Sequence, residues 1–295
     1  MKSSPPAGWA ESSVPVAAWW LLGPGLLWMG LLFVVPLSLV LVISFAERGT
    51  YGGIVWSYSL TNYLDLLHPL YAHILGQSIL LAAVTTLLCL IMGFPLAYYI
   101  ARAAPRRQGI LLLLVMIPFW TNFLVRTYAW MFILRTEGLL NTLLLKLGVI
   151  AAPIELLYSN TAVVIGLVYG YLPFMVLPLF VALEQVDRAL VEAAWDLYAT
   201  RWTILRRIIV PLARPGIMAG CLLVFIPSLG AFLTPDLLGG ARSMMVGNLI
   251  QHEFLVARDW PLGAAISCLL MLFVMGMMRR LLHAAKPVSR QEDAT

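Results

Sequence analysis

The ionisable residues of this chain gather in one place. Residues 184–216, EQVDRALVEAAWDLYATRWTILRRIIVPLARPG, carry nine charged side chains between two long apolar segments. Each charge buried at mid-bilayer would cost about 2.5–3.5 kcal/mol on insertion scales, so the stretch belongs in water. Its spacing is helical. Asp187 is placed to cap a helix on which Leu190, Ala194 and Leu197 recur at i, i+4 and i+7. Arg188, Glu192 and Asp196 share another face, with Arg188 and Glu192 near enough to pair. Thr200 caps a second helix that runs through Trp202, Leu205 and Ile209 until Pro211 ends it. The small Ala193 and Ala194 permit a close approach. Two readings stay open on these residues: a helix–turn–helix built to dock on another protein, or a solvated loop whose charges keep it out of the bilayer.

A second, thinner set of candidates lies in or beside the apolar segments. Arg126 is the costliest residue within them, though its position near one end lets it snorkel. Asp236 follows Pro235 at the end of an apolar run, and Glu253, Asp259 and Trp260 come shortly after. Around Arg126 sit Trp120, Tyr128, Trp130, Tyr169 and Tyr171, which form either an interfacial aromatic belt or a lining for a cation. The acids either face a cationic solute, or contact a soluble partner and pair with Arg242 and Arg258. Asp236, Asp259, Trp260, Trp120 and Tyr128 are the candidate path residues.

Bond-making chemistry finds little support. The chain has no Gly-Lys dipeptide, hence no phosphate-cradling Walker A loop, and no GxSxG, HExxH or metal-spaced cluster. His68, His73, His252 and His283 are scattered, and Cys89, Cys221 and Cys268 lie in apolar runs where they act as small hydrophobes. The expectation is a chain that is not an enzyme and holds no cofactor or metal of its own.

The elements that must position these residues follow from composition. Of 295 residues 61% are hydrophobic and 11% charged. Soluble domains carry about 25% charged residues, so this is an integral membrane protein. The net charge of +5 needs no nucleic acid, because Lys and Arg fall in a few loops. The pattern predicts an all-α polytopic protein with six transmembrane helices at about 19–45, 74–100, 110–134, 161–183, 217–238 and 262–278. A polar tail over 1–18 and another over 284–295 flank the domain. The run 19–45 exceeds the apolar core of a cleaved signal, about 7–15 residues, and reads as a retained span. Gly166-x-x-x-Gly170 and Gly216-x-x-x-Gly220 allow close helix contact within or between subunits. With both termini in the cytoplasm, 13 Lys and Arg lie inside and 6 outside, which puts residues 184–216 in the cytoplasm as well.

Glu192-Ala193-Ala194, Ile208-x-Val210-Pro211 and Pro215-Gly216 resemble the EAA loop of ABC-importer permease subunits. Residues 19–278 as a whole resemble spermidine/putrescine ABC transporter permeases, most plainly in IPFWTNFLVRTYAW (117–130), DLLGGARSMMVGNLIQHEF (236–254) and RDWPLGAA (258–265). The resemblance implies a type I ABC importer permease fold with a cytoplasmic coupling helix–turn–helix. It also implies a second permease in a heterodimer, a pair of ATPase subunits inside, and a polyamine-binding protein outside a bacterial inner membrane. It makes Arg188, Glu192, Ala193, Ala194, Asp196, Leu197 and Tyr198 the ATPase-coupling residues. Where the family has a glycine at the turn this chain has Tyr198, and a tyrosine forced left-handed costs about 1–2 kcal/mol. The competing classes fit less well. A membrane-embedded transferase lacks its acidic or histidine motif, and a secondary transporter leaves residues 184–216 without a task.

Overall fold

Unbroken apolar stretches of twenty or more residues form helices because only a helix satisfies its own backbone in lipid. The computed structural model describes the backbone of residues 16–284 and the side chains of 22–280 apart from Arg242. The tails at 1–15 and 285–295 lie outside the described residues. The chain runs α1 (Val16–Ile43), β1 (Glu47–Arg48), β2 (Ile54–Val55), α2 (Thr61–Asp65), α3 (Pro69–Arg102), α4 (Pro105–Trp120), α5 (Phe123–Leu134), α6 (Leu139–Lys146) and α7 (Asn160–Glu184). It continues through α8 (Arg188–Asp196), α9 (Arg201–Ile204), α10 (Val210–Leu212), α11 (Arg214–Leu229), α12 (Val246–Leu255) and α13 (Trp260–Ala284). A two-strand antiparallel hairpin, Glu47 opposite Val55, departs from the expected all-α content.

Among the described residues four helices are long and apolar enough to cross a membrane: Leu22–Ile43, Pro69–Arg102, Asn160–Glu184 and Trp260–Arg280. Two bent pairs, Pro105–Trp120 with Phe123–Lys146 and Arg201–Leu212 with Arg214–Leu229, bring the number to six if each crosses as one. The third predicted span, 110–134, is therefore not one straight helix. It breaks at Thr121–Asn122 and turns by 86°. Asn122 causes the restart by accepting hydrogen bonds from the backbone N–H of Leu124 (2.9 Å) and Val125 (3.5 Å). The fifth span, expected to reach 238, stops as an α-helix at Leu229 and gives way to a π-helical turn at Pro235–Gly239.

The core lies where α3, α7 and α11 meet, around Cys89, Ile100, Leu167, Met175, Leu179 and Val224. Glycine decides the α7–α11 distance. A Cβ on Gly216 would collide with Ala182 and come 2.6 Å from the Pro178 carbonyl, and one on Gly220 would meet Met175 Sδ at 2.7 Å. The second small-residue pair is thus intramolecular packing, and Gly166 serves the same purpose against Leu238 and Thr234. In contrast α4 has no buried residue, and the most apolar window of α1 buries nothing. Within this chain α1 leans chiefly on α13.

Candidate functional site

The charged stretch forms the two short helices expected, at the end of the bundle where α3 meets α4 and α7 ends. Asp187 caps α8 by accepting from Ala189 N–H at 2.9 Å, and Thr200 caps α9 through Thr203 N–H at 3.3 Å. Between them Tyr198 has φ 57°. The N–H of Ala199 bonds to the Ala194 carbonyl (3.0 Å) and that of Tyr198 to the Trp195 carbonyl (2.9 Å). This is the paired hydrogen-bond pattern of a left-handed helix stop, usually built on glycine. The turn keeps its geometry and the tyrosine bears the strain.

Three details differ from expectation. The face of α8 turned to the protein is Val191 and Ala194, whereas Leu190 and Leu197 are exposed. Ala194 therefore packs inward, and Leu190, Trp195, Leu197, Tyr198 and Trp202 leave an apolar surface bordered by Arg188, Glu192, Ala193 and Asp196. Arg188 and Glu192 do not come within 4 Å as an ion pair; those found among the described residues are Arg48–Asp259 and His252–Glu253. Pro211 does not end the second helix. The backbone widens to a π turn over Leu205–Ile209, closed by Val210 N–H to the Leu205 carbonyl, and runs on through Pro211 to Leu212. Proline clashes with a regular α-helical turn, and a widened one accommodates it.

At the opposite end the hairpin, α2, α12 and the start of α13 form a second assembly. Asp259 is the N-cap of α13, accepting from Leu262 N–H at 3.1 Å, and lies 3.9 Å from Arg48. Arg48 also donates to the Ala257 carbonyl at 2.7 Å. The acid's partner is thus Arg48 of the hairpin, a residue too distant in sequence for spacing to reveal, while Arg258 sits left-handed at φ 52°. Trp260 meets Phe254 edge to face at 6.1 Å. Glu253 is not in a loop but buried on α12, where desolvation pushes its carboxyl above the usual carboxylate range against the opposing effect of His252 at 3.6 Å. Asp236 is exposed on its π turn and forms no ion pair among the described residues.

The α4–α5 break holds a denser aromatic group. Phe119 meets Phe174 (5.1 Å), Trp130 meets Tyr169 (5.4 Å), and the guanidinium of Arg126 lies over Phe123 (5.2 Å) and Tyr169 (5.8 Å). Tyr171 donates to the Pro227 carbonyl at 3.2 Å and links α7 to the end of α11. Trp120 and Tyr128 are exposed and take no part in these ring contacts. A cavity of about 640 Å³ lies elsewhere, between Arg135, Glu137, Glu155 and Tyr158. Sequence reasoning missed it because its walls are connector residues with no periodicity. Asn141 shapes that connector: its buried amide donates to the carbonyls of Arg135, Thr136 and Ile154 and accepts from Ile154 N–H.

Residues 93–285 match the family described as "Binding-protein-dependent transport system inner membrane component". The chain belongs to this family. It is 45% identical over 251 residues to the spermidine/putrescine transport system permease protein PotB of Escherichia coli, covering 85% of this chain and 91% of that one. To the protein of the same name in Haemophilus influenzae it is 44% identical over 240 residues, covering 81% and 84%. The fold is that of a permease chain in the crystal structure of the bacterial alginate ABC transporter with its alginate-bound periplasmic protein: TM-score 0.76 at 15% identity, over 95% of this chain and 99% of that one. A methionine ABC transporter chain gives 0.55 at 17% identity, over 76% and 99%. The protein is a multi-pass inner-membrane component of a transport system.

Proposed function

We propose that the chain is the permease of an ATP-driven polyamine importer, working with a second, non-identical permease, two ATPase subunits and a soluble polyamine-binding protein. The observation that carries this reading is the 44–45% identity, spread over more than four-fifths of the chain, with relatives named for spermidine and putrescine. Two structural features support it. The α8–α9 unit shows an unpartnered apolar face fringed by charge, which suits insertion into a cleft of an ATPase. α4, which has no fully buried residue, suits a second permease. Both termini and α8 are assigned to the cytoplasm on the 13-to-6 division of Lys and Arg.

In this mechanism ATP binding moves the ATPase clefts, and α8 transmits the movement through Val191 and Ala194 into the α3–α7–α11 core. Glu192, Arg188 and Asp196 fix the docked register, and Leu197 and Tyr198 supply contact area. Of the candidate path acids Asp236, exposed on its π turn, is the one placed to meet a polycation. Asp259 and Trp260 instead hold the outer assembly together.

The test is reconstitution of the four components in proteoliposomes. Uptake of labelled spermidine or putrescine and ATPase stimulation by the loaded binding protein are expected. Glu192→Lys, which opposes a charge at the docked surface, should weaken ATPase co-purification by about tenfold or more. Normal assembly and uptake in that variant would overturn the coupling role. Uptake of an anionic or neutral solute in place of polyamine would overturn the substrate.

A further inference from the structure

The charge of Arg126 has no carboxylate partner within ion-pair distance among the described residues. Its guanidinium instead rests over the rings of Phe123 at 5.2 Å and Tyr169 at 5.8 Å, both inside the range of a cation–π contact. Its Nη1 donates to the Pro118 carbonyl at 2.8 Å, alongside Thr121 Oγ1 at 2.7 Å, so the same side chain secures the end of α4 across the break. Phe123 belongs to α5 and Tyr169 to α7. The two ring faces therefore come from different helices, and what occupies them holds those helices together.

Ring faces of this kind accept a guanidinium, an ammonium or a ligand cation, so an alkylammonium group can take the place of the guanidinium. We propose that Phe123 and Tyr169 form a subsite for an ammonium group of the transported solute, and that Arg126 is its resident occupant, displaced when the solute enters. This rests on the import reading above. The resident charge has two effects. It repels small cations from the break while no solute is present, and it makes solute entry remove the Arg126 hydrogen bond from the Pro118 carbonyl, loosening the tie between α4 and α5 at the break. Solute arrival and opening of the break then become one event.

The experiment uses the complete transporter in proteoliposomes, with Arg126→Gln, Arg126→Lys and Phe123→Leu. Arg126→Gln frees the ring faces. It should lower the KM for polyamine uptake roughly threefold or more and allow ATP-independent entry of methylammonium. Adding Phe123→Leu should cancel the fall in KM, and Arg126→Lys, which keeps a cation on the rings, should stay closed to methylammonium. An assembled Arg126→Gln transporter with unchanged KM and no methylammonium entry overturns the proposal. If that variant does not assemble, Phe123→Leu alone decides: KM should rise, and an unchanged KM overturns it. Methylammonium entry needs no polyamine, so a failure of this subsite is distinguishable from a failure of the substrate reading, which shows in the unaltered transporter.

Discussion

Tyr198 is left-handed at φ 57° and almost fully exposed, so it contributes backbone strain and little packing within the chain. Left-handed backbone costs an L-residue about 1–2 kcal/mol, part of which glycine returns as unfolded-state entropy. Tyr198→Gly should therefore leave the thermal midpoint of the purified complex unchanged or higher. Tyr198→Val, β-branched and unsuited to this region, should lower it. Glu253 gives a pH-dependent counterpart. Burial raises its carboxyl pKa, so the folded state holds the proton more tightly than the unfolded chain. Its contribution to stability is complete below the unfolded value of about 4.3 and is lost as pH rises through the raised folded value. Glu253→Gln should flatten the fall in thermal midpoint above about pH 4, measured against the unaltered protein. Caps such as Asp187 and Thr200 were legible in the sequence because they act on neighbours two or three residues away. The Arg48–Asp259 pair was not, since nothing local to either residue specifies the other.

Among the elements, spans were legible as apolar runs and their interruptions were not. Pro118 and Asn122 both stand in the third run, yet hydropathy averages over them and predicts one helix. The break appears only when Asn122 turns its side chain to the N–H groups of the following turn. Asn122→Ala removes that cap. It should cost about 0.5–2 kcal/mol, seen as a lower thermal midpoint, with α3, α7 and α11 undisturbed because their core lies elsewhere. Pro211 carries the converse lesson. A helix-breaking residue is a local rule, and the π turn at Leu205–Ile209 evades it by widening the helix just before the ring. The predicted face of α8 failed for a related reason. Periodicity finds a stripe, and with Leu190, Val191, Ala194 and Leu197 all apolar, only the position of the core decides which stripe faces inward.

For the molecule as a whole, composition gave the class, a helical multi-pass membrane protein, and the clustering of Arg gave the proposed orientation. The proposed orientation is open to direct test. With Cys89, Cys221 and Cys268 replaced, single cysteines at the exposed Tyr51, Glu155 and Val256 should react with an impermeant thiol reagent from outside. Those at Arg106 and Tyr198 should react only after the membrane is opened. Labelling of Tyr198 from outside would reverse the orientation and remove α8 from the ATPase.

The pairing of α1 with α13 sets a timetable for biosynthesis. α1 leaves the ribosome long before α13, its main intrachain neighbour. At about 5–20 residues per second, α1 waits roughly ten to forty seconds in the bilayer before α13 exists. Throughout that interval its apolar surface is held by lipid, by the insertion machinery or by another newly made subunit. Assembly with the proposed second permease can thus begin on α1 before α13 is made, and truncation before α13 should leave α1 inserted but unattached.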